Sequence, residues 1–279
     1  MKNYDKQWSS ANPGLLIILL DQSGSMSEEY CDGESKADFA TKAVNTVIDA
    51  IINSNYDGTK PKDRCFIALI GYSSVADVSK DGFLSELANN PLKTVQITKK
   101  VNDGTGSLID KLINMQLWIE SKCDGVTNMT AAFNEAKRII DKFVTDFPDA
   151  PAPVIINISD GAPYIGGNDM DYEAAKKAAQ SIMNISLEDG SPLIFNAHID
   201  QGGFNVKFPA NLNEIPQDPN AHFLFNISSL IPEAFRPAAE KKGLKVKENA
   251  KGCMIGVDAV DLVKLIDFGS TKGFVDKKV

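Results

Sequence analysis

Asp21, Ser23 and Ser25 alternate along the stretch Asp21-Gln22-Ser23-Gly24-Ser25. One carboxylate and two hydroxyls at every second position can turn hard oxygen atoms toward a common point, which is what a small divalent cation requires. So short a pattern, taken alone, reads as an ordinary polar turn, so further donors must come from elsewhere. Two distant segments offer them: Thr127 after Gly125-Val126, and Asp160 between Ile158-Ser159 and Gly161. None of the three segments contains Cys or His, which disfavours zinc. Two carboxylates and three hydroxyls suit Mg²⁺ first, Mn²⁺ closely behind, and Ca²⁺ less well.

The elements that must position these residues can be read from the apolar pattern. Residues 15–20 are six unbroken aliphatics, Cys65–Tyr72 reads CFIALIGY, and Val154–Ser159 reads VIINIS. Unbroken runs of this length, bounded by turn residues, suit strands buried on both faces of a parallel sheet. Residues 36–53 place Phe39, Ala43, Val47 and Ile51 on one helical stripe, and Ala132, Ala136, Ile139, Ile140 and Phe143 recur at helical spacing after Thr127, placed as N-cap or first-turn residue. Further helices are expected at 171–187, as two short pieces within 222–242 broken at Pro232, and at 259–267. Further strands are expected at 193–199 and 253–257, with 75–78 as a short antiparallel return. Residues 81–124 are the least regular, with an extended piece expected at 94–98 and a helix near 108–115.

Strands alternating with amphipathic helices predict an α/β fold: a Rossmann-like, doubly wound, mostly parallel central sheet of about six strands with helices on both faces. Such sheets bind ligands outside the carboxyl ends of their strands. Asp21 and Asp160 are expected at two such ends, and Thr127 begins a helix descending from the same edge.

The chain has 279 residues, enough for one large domain, with 43% hydrophobic and 24% charged residues. Lys+Arg 29 against Asp+Glu 37 gives a net charge of −8, so there is no basic footprint for nucleic acid or anionic lipid. No apolar run is long enough to span a bilayer, and residues 1–14 lack the apolar core of a secretory signal, so a cytoplasmic protein is expected. Cys31, Cys65, Cys123 and Cys253 are scattered, which favours reduced thiols over a disulfide framework. Residues 1–13 read as a lead-in, 14–269 as the domain, and 270–279 as a Lys-rich tail.

Together, D-x-S-x-S after an apolar strand, a distant G-x-T before a helix and a second strand ending in S-D-G resemble a von Willebrand factor A (vWA) domain. The resemblance implies a metal-ion-dependent adhesion site formed by Asp21, Ser23, Ser25, Thr127 and Asp160, with Val126 where the family usually has Gly or Asn. It implies no catalysis. The ion keeps an open position that a carboxylate from a partner protein fills, and residues 26–35, 161–170 and 200–218 border that surface. The stretches 153–161, 193–199 and 250–258 are similar to a bacterial intracellular branch of single-domain vWA proteins, whose members are sometimes associated with protein kinase and PP2C-type phosphatase partners.

Several residues compete for roles. Thr130 rivals Thr127 but reads better as helix first-turn stabilisation, while Asp169 and Asp171 suit a helix N-terminus. Ser74, Asp160 and His198 or His222 follow the chain order of α/β-hydrolases, but Gly71-Tyr72-Ser73-Ser74-Val75 lacks the second glycine of G-x-S-x-G. Ser23 removes the second carboxylate of a D-x-D phosphatase, and no phosphate-binding glycine loop is present. A vWA scaffold with a purely structural metal is the remaining alternative.

Overall fold

In a computed structural model, the protein is described over residues 4–31, 33–102, 108–167, 170–200 and 203–271. Its elements, in order, are β1 (Gly14–Asp21), β2 (Glu29–Cys31), β3 (Glu34–Ser35), α1 (Lys36–Ser54), β4 (Cys65–Tyr72), β5 (Ala76–Phe83), α2 (Leu84–Asn89), β6 (Lys93–Asn102) and β7 (Leu108–Leu117). There follow α3 (Met129–Asp146), β8 (Val154–Ser159), α4 (Tyr172–Met183), β9 (Leu193–His198), β10 (Val206–Lys207), α5 (Pro219–Asn226), α6 (Arg236–Lys241), β11 (Cys253–Ile255) and α7 (Ala259–Thr271).

The central sheet has seven strands in the order β10-β11-β9-β8-β1-β4-β5. The inner pairs β4/β1, β1/β8, β8/β9 and β9/β11 are parallel, and only the edge strands β5 and β10 run antiparallel. The expected doubly wound α/β sheet is therefore present, with one strand more than the sequence suggested.

β1 shows why its sequence is apolar without interruption. Leu16, Ile18 and Leu20 point into one core layer with Val44, Ile48 and Leu265 of α1 and α7. Leu15, Ile17 and Leu19 point into the opposite layer with Ala132, Phe133 and Ala136 of α3. All six are at most 1% exposed, and each contributes about 1.5–3 kcal/mol by leaving water. A strand covered on both faces has no polar face to alternate with.

Several expectations need correction. Residues 108–115 are not a helix: β7 pairs antiparallel with β6, from Lys93↔Leu117 to Asn102↔Leu108, as a two-stranded ribbon outside the main sheet. Val95 lies opposite Met115 and Ile97 opposite Ile113, so the apolar spacing belongs to a strand face. The return strand expected at 75–78 runs on to Phe83, and α2, which the sequence did not suggest, follows it directly. Asn128, not Thr127, caps α3, its side chain accepting from Ala131 N at 3.0 Å. α4 stops at Met183, short of 187, and α7 continues through Thr271, with Ser270 buried, beyond the expected boundary at 269. Within the lead-in, Trp8 packs into the core at 4% exposure.

Candidate metal centre

β1 leads through α1 to β4 on one side, and β8 lies on the other side of β1. The winding therefore reverses between β1 and β8, and the crevice at the carboxyl ends of these two strands is where doubly wound sheets bind ligands. Asp21 ends β1, and Asp160 follows Ser159, the last residue of β8.

Asp21 is fully buried and held on both carboxylate oxygens. Ser23 N donates to Oδ1 at 2.9 Å, forming an Asx turn, and Ser159 Oγ donates to Oδ2 at 2.6 Å. The chain then makes a short 3-10 turn over Gly24–Ser27. That turn leaves Ser23 Oγ and Ser25 Oγ 3.2 Å apart, with Ser23 buried and Ser25 exposed. The bend does not rely on a left-handed Gly24, whose φ is negative, whereas Gly125 and Gly161 at this edge have positive φ. At Gly161, with φ +103, an added Cβ would lie 2.9 Å from Asn220 Cβ and 3.0 Å from the His198 ring.

The Thr127 segment reaches the same edge through backbone hydrogen bonds. Gly24 N donates to Gly125 O at 3.1 Å, and Asp124 N donates to Gln22 O at 2.9 Å. Thr127 N donates to Tyr164 O at 2.8 Å and Tyr164 N returns the bond at 3.0 Å, tying this segment to the loop after Asp160. Thr127 itself is buried. The structure thus gathers the segments of Asp21, Ser23, Ser25, Thr127 and Asp160 at one crevice. Thr130 does not compete with Thr127, because its hydroxyl donates to Asp171 Oδ2 at 2.8 Å. Asp169 lies outside the described residues.

Electrostatically the crevice is short of positive charge. Burial, and secondly the neighbouring Asp160 carboxylate, push the Asp21 carboxyl up to about 7. Beneath it, burial and then Asp21 hold the Tyr72 phenol well above its usual value. Tyr72 Oη donates to Asn157 Oδ1 at 2.9 Å, Asn157 Nδ2 to Asn196 Oδ1 at 2.9 Å, and Asn196 Nδ2 to Ser228 Oγ at 2.8 Å. This chain of buried amides and hydroxyls crosses the sheet from β4 to β9 and braces the floor of the crevice. Lys36 supplies a cation the sequence did not suggest, its Nζ 2.7 Å from Glu28 Oε2 and 3.4 Å from Asp160 Oδ2. Burial alone would lower its ammonium, but the two carboxylates outweigh burial and hold it above its ordinary value.

Ser159, Lys36, Tyr72 and Asn157 were not singled out by sequence reasoning. Ser159 carried a usable signal, since it sits beside Asp160 in S-D-G; a lysine at a helix start carried none.

The donor types fit a hard cation: two carboxylates and three hydroxyls lie on segments that meet at one crevice. Among the described residues there is no cluster of three or more His, Cys, Asp or Glu, so an ion held here would depend on the hydroxyls as well as on Asp21 and Asp160. Ser74 and His198 are not brought together. Ser74 sits in the loop after β4 and accepts from Val126 N at 3.5 Å, whereas His198 ends β9. β4 and β9 are three strand spacings apart in the sheet order, or about 14 Å. His198 Nε2 meets the Asp160 backbone carbonyl at 2.9 Å rather than its carboxylate.

No protein-family model matches the chain, and no curated protein matches it. Solved structures do resemble it. The pilus adhesin SpaC from Lactobacillus rhamnosus GG superposes with a TM-score of 0.52 at 13% identity over 96% of this chain and 31% of the adhesin, a likeness of fold alone. A von Willebrand factor type A structure from Catenulispora acidiphila gives a TM-score of 0.48 at 16% identity, over 94% of this chain and 42% of the other. The manganese-loaded TRAP protein of Plasmodium vivax gives 0.36 at 15%, over 69% and 59%. This chain therefore spans less than half the length of the first two. None of the four cysteines forms a disulfide, and no helix among the described residues is long and apolar enough to cross a membrane.

Proposed function

We propose that the chain is a vWA-type protein-binding module whose site residues hold a divalent cation, Mg²⁺ by preference, and that the cation captures an Asp or Glu carboxylate of a partner protein. One observation carries the reading. The Asp21 carboxylate is wholly buried, with Asp160 close enough to raise its pKa further, at the sheet edge where the Ser23, Ser25 and Thr127 segments meet. Two carboxylates brought together out of water are stable as anions only beside a cation. Asp21 and Asp160 would supply the charge, and Ser23, Ser25 and Thr127 neutral oxygens. A cation so held supplies electrophilic attraction for an incoming carboxylate, because a hydroxyl-rich set neutralises it only in part. Ser159 and the Ser23 backbone fix Asp21, and the Tyr164–Thr127 bridge ties the third segment to the second. The reading assigns no catalytic role to Ser74, His198 or His222, and places the module in intracellular signalling or complex assembly.

The test is capture from an extract of the source cell on immobilised protein, in Mg²⁺ and in EDTA. A partner retained in Mg²⁺ should be lost in EDTA and lost from the Asp21→Ala/Asp160→Ala protein. Equal retention under all three conditions contradicts the metal-dependent mechanism.

A further inference from the structure

Lys36 begins α1 and is only 6% exposed, a rare condition for a lysine unless its charge is paired. Its ammonium stands between two carboxylates of unlike character. Asp160, whose side chain is 10% exposed, belongs to the proposed cation site; Glu28, 65% exposed, does not. Backbone geometry fixes Glu28 and Lys36 together. Lys36 N donates to Glu28 O at 2.9 Å, and the β2–β3 hairpin between them pairs Glu29 with Ser35 and Cys31 with Glu34. The contact to Asp160 comes instead from the packing of α1 against the sheet. The shorter contact is to Glu28, at 2.7 Å against 3.4 Å.

We propose that Lys36 is a tethered competitor for the divalent cation: its ammonium neutralises Asp160 when no ion is bound and is given over to Glu28 when one enters. The proposal rests on the metal reading of the site. An ammonium and a divalent ion seeking the same carboxylate repel each other at a few ångströms, and burial leaves that repulsion poorly screened. A lysine driven from Asp160 with no other partner would be a buried, uncompensated charge, which is strongly unfavourable. Glu28 removes that difficulty, because its carboxylate is already in contact and its backbone is tied to that of Lys36 across the hairpin. The pair therefore sets how much free cation is needed before the site fills, and with it the threshold for partner capture.

The test is a Mn²⁺ titration read by the electron paramagnetic resonance signal of the free ion, on wild type, Lys36→Met, Glu28→Gln and the double variant. Lys36→Met, which keeps the side-chain length and removes the charge, should bind Mn²⁺ about tenfold more tightly or better. Glu28→Gln, at an exposed position that tolerates the change, should bind severalfold more weakly, because Lys36 is left with Asp160 alone. In the Lys36→Met background the Glu28→Gln effect should largely vanish. Saturable binding with the same affinity in wild type and Lys36→Met overturns the competitor role and leaves the metal site standing. A Glu28→Gln effect of equal size in both backgrounds overturns it too. If Lys36→Met fails to fold, unchanged affinity in Glu28→Gln overturns it alone. Absence of saturable binding in every folded variant overturns the metal reading itself, and the proposal with it.

Discussion

Ser159 Oγ donates to Asp21 Oδ2 at 2.6 Å while accepting from Gly161 N at 2.9 Å. One hydroxyl at the end of β8 thus joins the last carboxylate of β1 to the turn that presents Asp160. Removing it leaves a buried carboxylate oxygen without its donor, at a cost of about 1–3 kcal/mol. Ser159→Ala should lose that much stability in urea denaturation and bind Mn²⁺ about tenfold more weakly, with an unchanged far-UV circular dichroism spectrum.

Asp21 makes the stability of the cation-free protein depend on pH in a defined sense. Its folded pKa, about 7, lies above its ordinary value of 3.8, so between these values the folded state holds a proton that the unfolded state has released. Stability therefore falls as pH rises from about 4 to about 7 and is level above, with a total loss on the order of 4 kcal/mol. Urea midpoints measured in EDTA across this range should show the fall, and Asp21→Asn should flatten it. Excess Mg²⁺ should restore the loss near neutral pH, since the cation favours the ionised carboxylate.

Asn45 is a third test, of the scaffold rather than the site. It is fully buried in α1 and donates to Thr41 O and Ile119 O, both at 2.9 Å, while accepting from Trp118 N at 2.7 Å and Ile119 N at 3.3 Å. It therefore moors the end of the β6–β7 ribbon to the main body. Asn45→Ala strands several buried backbone groups and should cost about 2–4 kcal/mol in urea denaturation. The change should also raise hydrogen exchange at Trp118 and Ile119 while leaving the amides of β1 protected.

The central strands were legible because each is covered on both faces. Cys65–Tyr72 and Val154–Ser159 match the observed strands end to end, since an unbroken apolar run has no other use in a doubly wound sheet. The segments of Asp21 and Asp160 were legible as two strand ends on one edge, and that of Thr127 as the start of a helix descending from it. β7 was not, because Leu108, Leu112 and Met115 fit helical spacing while Ile109, Ile113, Met115 and Leu117 fit alternation, and only its distant partner β6 decides between them. α2, with six residues, is too short to show a period. Lys36 was hidden for another reason. Nothing local distinguishes a lysine solvated at the start of a helix from one turned inward, and Asp160, which draws it in, is 124 residues away.

The central claim is that one divalent cation sits between Asp21 and Asp160. Crystals soaked in MnCl₂ and measured near the manganese absorption edge test it most directly. A single strong anomalous peak bounded by oxygens of Asp21, Ser23, Ser25, Thr127 and Asp160, absent from the Asp21→Ala/Asp160→Ala protein, is the expected result. No peak at this crevice at millimolar Mn²⁺, with Lys36 still paired to Asp160, would contradict it.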